Sequence, residues 1–232
     1  MSEVTESFLA AFAELETLVA KAAKKSKSDS VMKNYKVICD KKSFYYQFKD
    51  DMQQLANLRN VLVHERINKT EYLAQPLPCV TDKLKKIISL FNKPALIIDH
   101  FKPDIKEFPS TSLMTGLLSY LGDKDYSQAL VRTNGDLNVL SANTIQRWLA
   151  KHVKDEILEL NLPVAEVMRY QEDCTELTIA SKKLTLIDAL DYFQKNTQLV
   201  ILAITENGNK NEKLISLLAT YDLPRIYKIL ES

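Results

Sequence analysis

The run Arg59-Asn60-Val61-Leu62-Val63-His64 brings a strong cation, an amide and an imidazole within six residues. These groups suit phosphate chemistry. A guanidinium neutralises the anion, an imidazole moves protons near neutral pH, and an amide can orient either of them. On a phosphodiester, that set of roles is nuclease chemistry. The alternative is structural, with Arg59 holding an interface and His64 simply hydrogen-bonded.

These residues need an element to carry them. Residues 1–75 contain neither proline nor glycine, so this part of the chain can be almost wholly helical. Val4, Phe8, Ala11, Phe12, Leu15, Leu18, Val19 and Ala22 recur at helical spacing, and Ser2 or Thr5 can cap the start. A lysine-rich break at residues 24–30 separates this helix from a second, which begins near Val31. A third is expected from about Ser43 to near Tyr72. Residues 1–73 thus read as a small helical bundle. At about 100° per residue, Phe48, Met52, Leu55 and Leu62 form an apolar stripe with Arg59 in its middle. Gln53, Asn57, Asn60 and His64 form a second stripe of amides and an imidazole. Arg59 is the only formal charge between Asp51 and Glu65, so this helix is expected to be buried on several sides.

The pattern of Arg, Asn, three residues and His resembles the signature of HEPN domains, which are small helical bundles and usually dimers. The resemblance implies a metal-independent ribonuclease in which Arg59 stabilises the phosphorane, His64 donates or accepts the proton and Asn60 supports both. It also implies a site composed from two chains. A single helix sets Arg59 and His64 about 140° apart, so any such chemistry is tied to a homodimer. Eight lysines and two acids between Lys21 and Lys42 form a basic patch that could follow an RNA backbone or could be a solvated edge.

Beyond Pro76 and Pro78 the rhythm changes and then repeats. Residues 127–133 and Leu137–Leu140 read as strands joined by Asn134-Gly135. Leu199–Thr205 and Leu214–Leu218 read as strands joined through Asn207-Gly208. Helical stretches precede both hairpins, at Ser112–Leu121 and Thr185–Phe193, and short helices follow them. Helix, strand, turn, strand and helix therefore occur twice, roughly 75 residues apart.

With Val164-Ala165-Glu166-Val167-Met168 opening the second copy, these residues resemble a tandem pair of CBS domains over about 77–232. In that family the second hairpin strand enters the last helix through Gly, two apolar residues, Thr or Ser, two residues and Asp. Here Asn138 and Ser216 stand for the glycines, Ala219 for the Thr, and Thr144 for the first Asp. The resemblance implies an adenine nucleotide (AMP, ADP or ATP) or S-adenosylmethionine as ligand. By the same resemblance, Asp222 accepts from ribose hydroxyls and Ser141 meets phosphate or sugar. Arg147 and Arg225 each follow the ribose position by three residues and share its helix face, within reach of phosphate. Ser141, Thr144, Arg147, Thr220, Asp222 and Arg225 are thus the candidate ligand contacts. The structural alternative has Asp222 capping the last helix and Arg225 solvated.

The fold class expected is two-domain, α and α/β. A helical bundle over 1–73 precedes βαββα-type repeats at 77–156 and 160–232, related as a pseudo-twofold disc. The net charge of +1 advertises no nucleic-acid binding as a whole. Cys39, Cys79 and Cys174 are widely spaced and odd in number, which fits reduced thiols and no metal framework. An acidic start and the lack of a long apolar run point to a cytoplasmic chain that does not engage membranes. No cofactor is required by these features. Two functions follow. In one, the CBS pair senses a nucleotide and signals to the helical module. In the other, the same ligand gates a ribonuclease. His100 and His152 lack acid or Cys partners and receive no role.

Overall fold

A computed structural model describes residues 3–65, 67, 72–102, 106–153, 159–171 and 176–231. The chain divides into two compact units, Met1–Ala95 and Leu96–Ser232.

The first unit is helical, with α1 at Glu3–Ala23, α2 at Val31–Lys41, α3 at Lys49–His64 and α4 at Pro78–Asn92. In α1, Phe8, Phe12, Leu15 and Val19 are fully buried, as their spacing predicts. Lys24 leaves the helix with φ 56°, and the lysine-rich break follows. Ser2 lies outside the described residues. Thr5 is no cap, because it sits buried inside α1. The helix Pro78–Asn92 falls in this unit and packs along α1. Asn92 Nδ2 donates to Glu14 Oε1 at 2.6 Å, and Phe91 stacks on Tyr45 at 5.2 Å. The buried Tyr35 hydroxyl donates to the Tyr45 carbonyl at 2.7 Å.

The long third helix is shorter than expected at both ends. Residues Ser43–Phe48 form a 3-10 turn, in which neighbouring Phe44 and Tyr45 both turn inward. The α-helix then ends at His64, where Glu65 leaves helical geometry at φ −114°, ψ 84°. No glycine or proline marks that end, so the absence of breakers overstated the length. Among the rest of the expected span, 66 and 68–71 lie outside the described residues. Burial on several sides is also corrected. Met52, Leu55 and Leu62 face the core, but Gln53, Asn57, Asn60 and His64 are exposed. Gln53 Nε2 donates to Asn57 Oδ1 at 2.9 Å, so amides supply the polarity that charges normally bring to an outer face.

The second unit is α/β and built twice. The first half runs α5 (Ile97–His100), β1 (Glu107–Pro109), α6 (Met114–Lys124), β2 (Gln128–Thr133), β3 (Asp136–Ser141) and α7 (Ala142–His152). The second half runs α8 (Val164–Met168), β4 (Leu177–Ser181), α9 (Leu186–Lys195), β5 (Ile201–Thr205), β6 (Ser216–Ala219) and α10 (Leu223–Glu231). Each half holds a three-stranded sheet whose first strand is parallel to the second and whose second and third form a hairpin. Asn134 (φ 52°) and Gly135 (φ 90°) both take the positive φ that a tight two-residue hairpin turn requires. Strands β1 and β4 were not foreseen.

Two β-bridges tie the halves reciprocally. The segment before the first half bridges to the second at Leu96↔Thr185, and the segment before the second bridges to the first at Leu113↔Pro163. Leu130, Leu137 and Val139 of one sheet share a core with Ile201, Ala203 and Leu217 of the other. Arg132 adds a polar staple. It donates to Glu107 Oε2 at 2.6 Å, to the Gly135 and Lys210 carbonyls at 2.9 and 2.8 Å, and to the Glu212 carbonyl at 2.7 Å. The Glu212 carboxylate gathers the N–H groups of Asn207 and Asn209, which pull its pKa down to about 2.

Candidate functional site

The sheet register superimposes the two strand-to-helix corners. Gln128 pairs with Ser141 in one half and Ile201 with Ala219 in the other, so Ser141 corresponds to Ala219 and Thr144 to Asp222. Both corners close by a hydrogen bond across three residues, with opposite polarity. In the first, the Ser141 hydroxyl accepts from the Thr144 N–H at 3.3 Å. In the second, Asp222 Oδ2 accepts from the Ala219 N–H at 2.9 Å. Asp222 does cap its corner, while keeping a second carboxylate oxygen for other donors.

The first corner is closed. Thr144 is 0% exposed, Ser141 5% and Glu176 5%. The Ser141 hydroxyl donates to Glu176 Oε1 at 3.2 Å and lies 3.2 Å from Thr144 Oγ1. Glu176 stands just before β4, where its carbonyl accepts from Val200 and Ile201 N–H. Its Oε2 is buried without a hydrogen-bond partner among the described residues. Arg147, one turn on, is half-buried.

The second corner is open. Thr220 and Arg225 are exposed and Asp222 is half-buried. Burial raises the Asp222 carboxyl pKa, and the Ala219 N–H and Arg225 oppose that rise. Arg225 donates to the His100 carbonyl at 3.0 Å and lies 4.6 Å from the Phe101 ring centroid. It therefore holds α5 against α10 with one nitrogen, leaving further donors. The glycine replacements have local reasons. Ser216 is buried and its hydroxyl donates to the Phe101 carbonyl, while Asn138 Nδ2 donates to the Asp136 carbonyl at 3.1 Å. Beside this corner Tyr221, Tyr126, Gln128, Leu130, Ile201 and Leu217 wall a groove of about 90 Å³. That space is smaller than a whole-ligand pocket, which runs to several hundred Å³.

In the helical unit, Arg59 is on an open, mostly polar cleft of about 560 Å³ that also meets Glu16, Lys27, Ser30, Gln53 and Asn60. Its guanidinium is 4.0 Å from Glu16 Oε1 and donates to Asn60 Oδ1 at 3.3 Å. His64 is exposed on another face and does not line that cleft. One chain therefore does not unite Arg59 with His64, as the wheel predicts. The lysines Lys21, Lys24, Lys25, Lys27, Lys33, Lys36 and Lys41 are exposed, with Phe44 and Tyr45 in the core.

Sequence reasoning missed Glu176, Tyr126 and Tyr221. Only the packing of the two halves brings Glu176 to the Ser141 corner, and no local motif marks it. Among the described residues, no group of three His, Cys, Asp or Glu side chains could hold a metal ion, and no helix is long and apolar enough to cross a membrane. Cys39 is buried and Cys79 exposed, while Cys174 lies outside the described residues.

The solved structures that resemble this chain are CBS-domain pair proteins. CBSX2 in complex with AMP matches at 16% identity over 60% of this chain and 99% of its own, with a TM-score of 0.43. A CBS domain protein from Pyrobaculum aerophilum complexed with AMP matches at 17% identity over 59% and 98%, TM-score 0.42. A CBS domain pair in complex with 5′-methylthioadenosine and S-adenosyl-L-methionine matches at 11% over 58% and 97%, TM-score 0.42. No family model and no curated protein matches the sequence.

Proposed function

We propose that the α/β unit is a CBS pair that binds an adenine-type nucleotide at the second corner and signals its occupancy to the helical unit. Thr220, Asp222 and Arg225 are the contacts, with Asp222 accepting from the ribose hydroxyls and Arg225 meeting phosphate. The observation that carries this reading is the half-buried Asp222 carboxylate, which keeps a free oxygen between an exposed hydroxyl and an exposed guanidinium. Signalling requires the ligand to bind one arrangement of the chain better than another. The ligand also widens the small groove beside Tyr221, which is one way to couple binding to a change of shape.

A melting panel with AMP, ADP, ATP and S-adenosylmethionine tests the ligand. A nucleotide at a hundred times its Kd raises stability by about 2.7 kcal/mol. Asp222→Ala abolishes that shift. A wild-type chain whose melting temperature moves with none of the four ends this reading.

The second reading is a metal-independent ribonuclease assembled by a homodimer, with Arg59, Asn60 and His64 as its groups. The exposure of Asn60 and His64, and the polar cleft at Arg59, favour it, because all three can be reached from solvent. The lysines between Lys21 and Lys42 would carry the RNA. Cleavage of RNA without metal by the wild type, lost in His64→Ala, supports it. Equal cleavage by both, or by neither, removes it.

A further inference from the structure

The first corner has a built-in occupant. Resting on the nucleotide reading above, we infer that Glu176 closes the first corner to nucleotides, so that each chain takes one adenine nucleotide and takes it at Asp222. Three observations meet here. Thr144, at the ribose position, is fully buried, and Ser141 and Glu176 around it are buried. The Ser141 hydroxyl, the implied sugar or phosphate contact, is already donated to Glu176 Oε1 at 3.2 Å. The other carboxylate oxygen is buried with no partner among the described residues, so this carboxyl is a poor choice for packing alone. An amide or an aliphatic side chain would hold the same place with less desolvation.

A carboxylate in that place discriminates by charge as well as shape. A nucleotide reaching Thr144 would set its ribose against Glu176 and its phosphate near a like charge in low dielectric, where repulsion is strong. The second corner differs in its carboxylate. Asp222 is itself the acceptor for the ribose, and Arg225, the counterpart of the half-buried Arg147, is exposed. Glu176 is therefore the residue that sets stoichiometry. It holds the first corner shut while the second remains free to respond to ligand.

Isothermal titration of AMP into the full chain counts the sites. One equivalent is expected for the wild type, none for Asp222→Ala, two for Glu176→Ala and one for the double variant. Glu176→Ser, which keeps a hydroxyl for Ser141, repeats the measurement should the alanine variant lose its cooperative melt. Two equivalents in the wild type, or one remaining in Asp222→Ala, overturn the inference whatever the fate of the Glu176 variants. Folded Glu176 variants that gain no site overturn it too. A wild type that binds no AMP beside a Glu176→Ala that binds one equivalent defeats the Asp222 reading and leaves Glu176 as the plug.

Discussion

The two halves of the α/β unit start from one plan and end with opposite corners. In the first, hydroxyls meet and a carboxylate from the other half covers them. In the second, a carboxylate takes the same register position and stays reachable from solvent. A single exchange, Thr144 against Asp222, decides much of this. A buried threonine can satisfy its hydroxyl with Ser141, whereas a carboxylate there would face Glu176. The two halves supply equivalent corners, and side chains then decide which one is left open.

Rebuilding the open corner inside the closed one is the harshest way to break this comparison. Thr144→Asp sets a second carboxyl beside Glu176 in a buried space where both cannot ionise. A loss of about 3–5 kcal/mol in urea unfolding is expected, as for other uncompensated buried charges. Adding Glu176→Gln recovers part of that loss if the two carboxyls are in contact. No recovery would mean that Glu176 does not govern this corner.

The staple at Arg132 sharpens the comparison from the other side, because it fixes the loop of the open half onto the hairpin of the closed half. Arg132→Met takes this donor from the carboxylate of Glu107 and from the carbonyls of Gly135 and Glu212, while the Lys210 carbonyl keeps the Leu137 N–H, and unfolding should be easier by about 2–3 kcal/mol. A loss within error would show that water replaces the guanidinium without penalty.

Acid titration separates two carboxyls of the second half by sign. The Glu212 carboxyl, held down to about 2 by Asn207 and Asn209, contributes stability above its ordinary value of 4.5. That contribution fades as pH falls from 4.5 towards 2. Asp222 behaves oppositely, since burial raises its pKa above the usual 3.8. Its contribution is fullest below 3.8 and is lost as pH rises through the raised value. Stability curves of Glu212→Gln and Asp222→Asn should therefore depart from the wild type in opposite directions. Parallel curves would contradict both assignments.

The smallest effect is expected at His64→Ala. An exposed imidazole at a helix end should change stability by no more than about 0.5 kcal/mol, measured by chemical denaturation. A larger loss would place His64 in an interface between copies of the chain.

Much of the architecture could be read in advance, and the reasons are local. Asn134-Gly135 demanded a tight hairpin, and the apolar runs on either side supplied its strands. Val164–Met168 formed the short helix anticipated there. The strands β1 and β4 could not be read in the same way. Glu107–Pro109 spans three residues, and Leu177–Ser181 takes its order from pairing with β5 rather than from its own composition. At the candidate corners, residue types located Ser141, Thr144 and Asp222, but burial separated them. Glu176 reaches Ser141 across 35 positions of sequence, a distance no spacing argument covers.

The reciprocal bridges, Leu96 to Thr185 and Leu113 to Pro163, carry a consequence for how such a chain could arise and be dissected. Each half lends its leading segment to the other, so neither is complete by itself. A polypeptide holding one half alone would have to borrow that segment from a second molecule. Its mass in solution would be that of a pair, with both bridges now formed between molecules. The single chain forms both bridges within one molecule. Fusion also frees the two corners to diverge, because a symmetric pair of identical halves could not keep one shut and the other open.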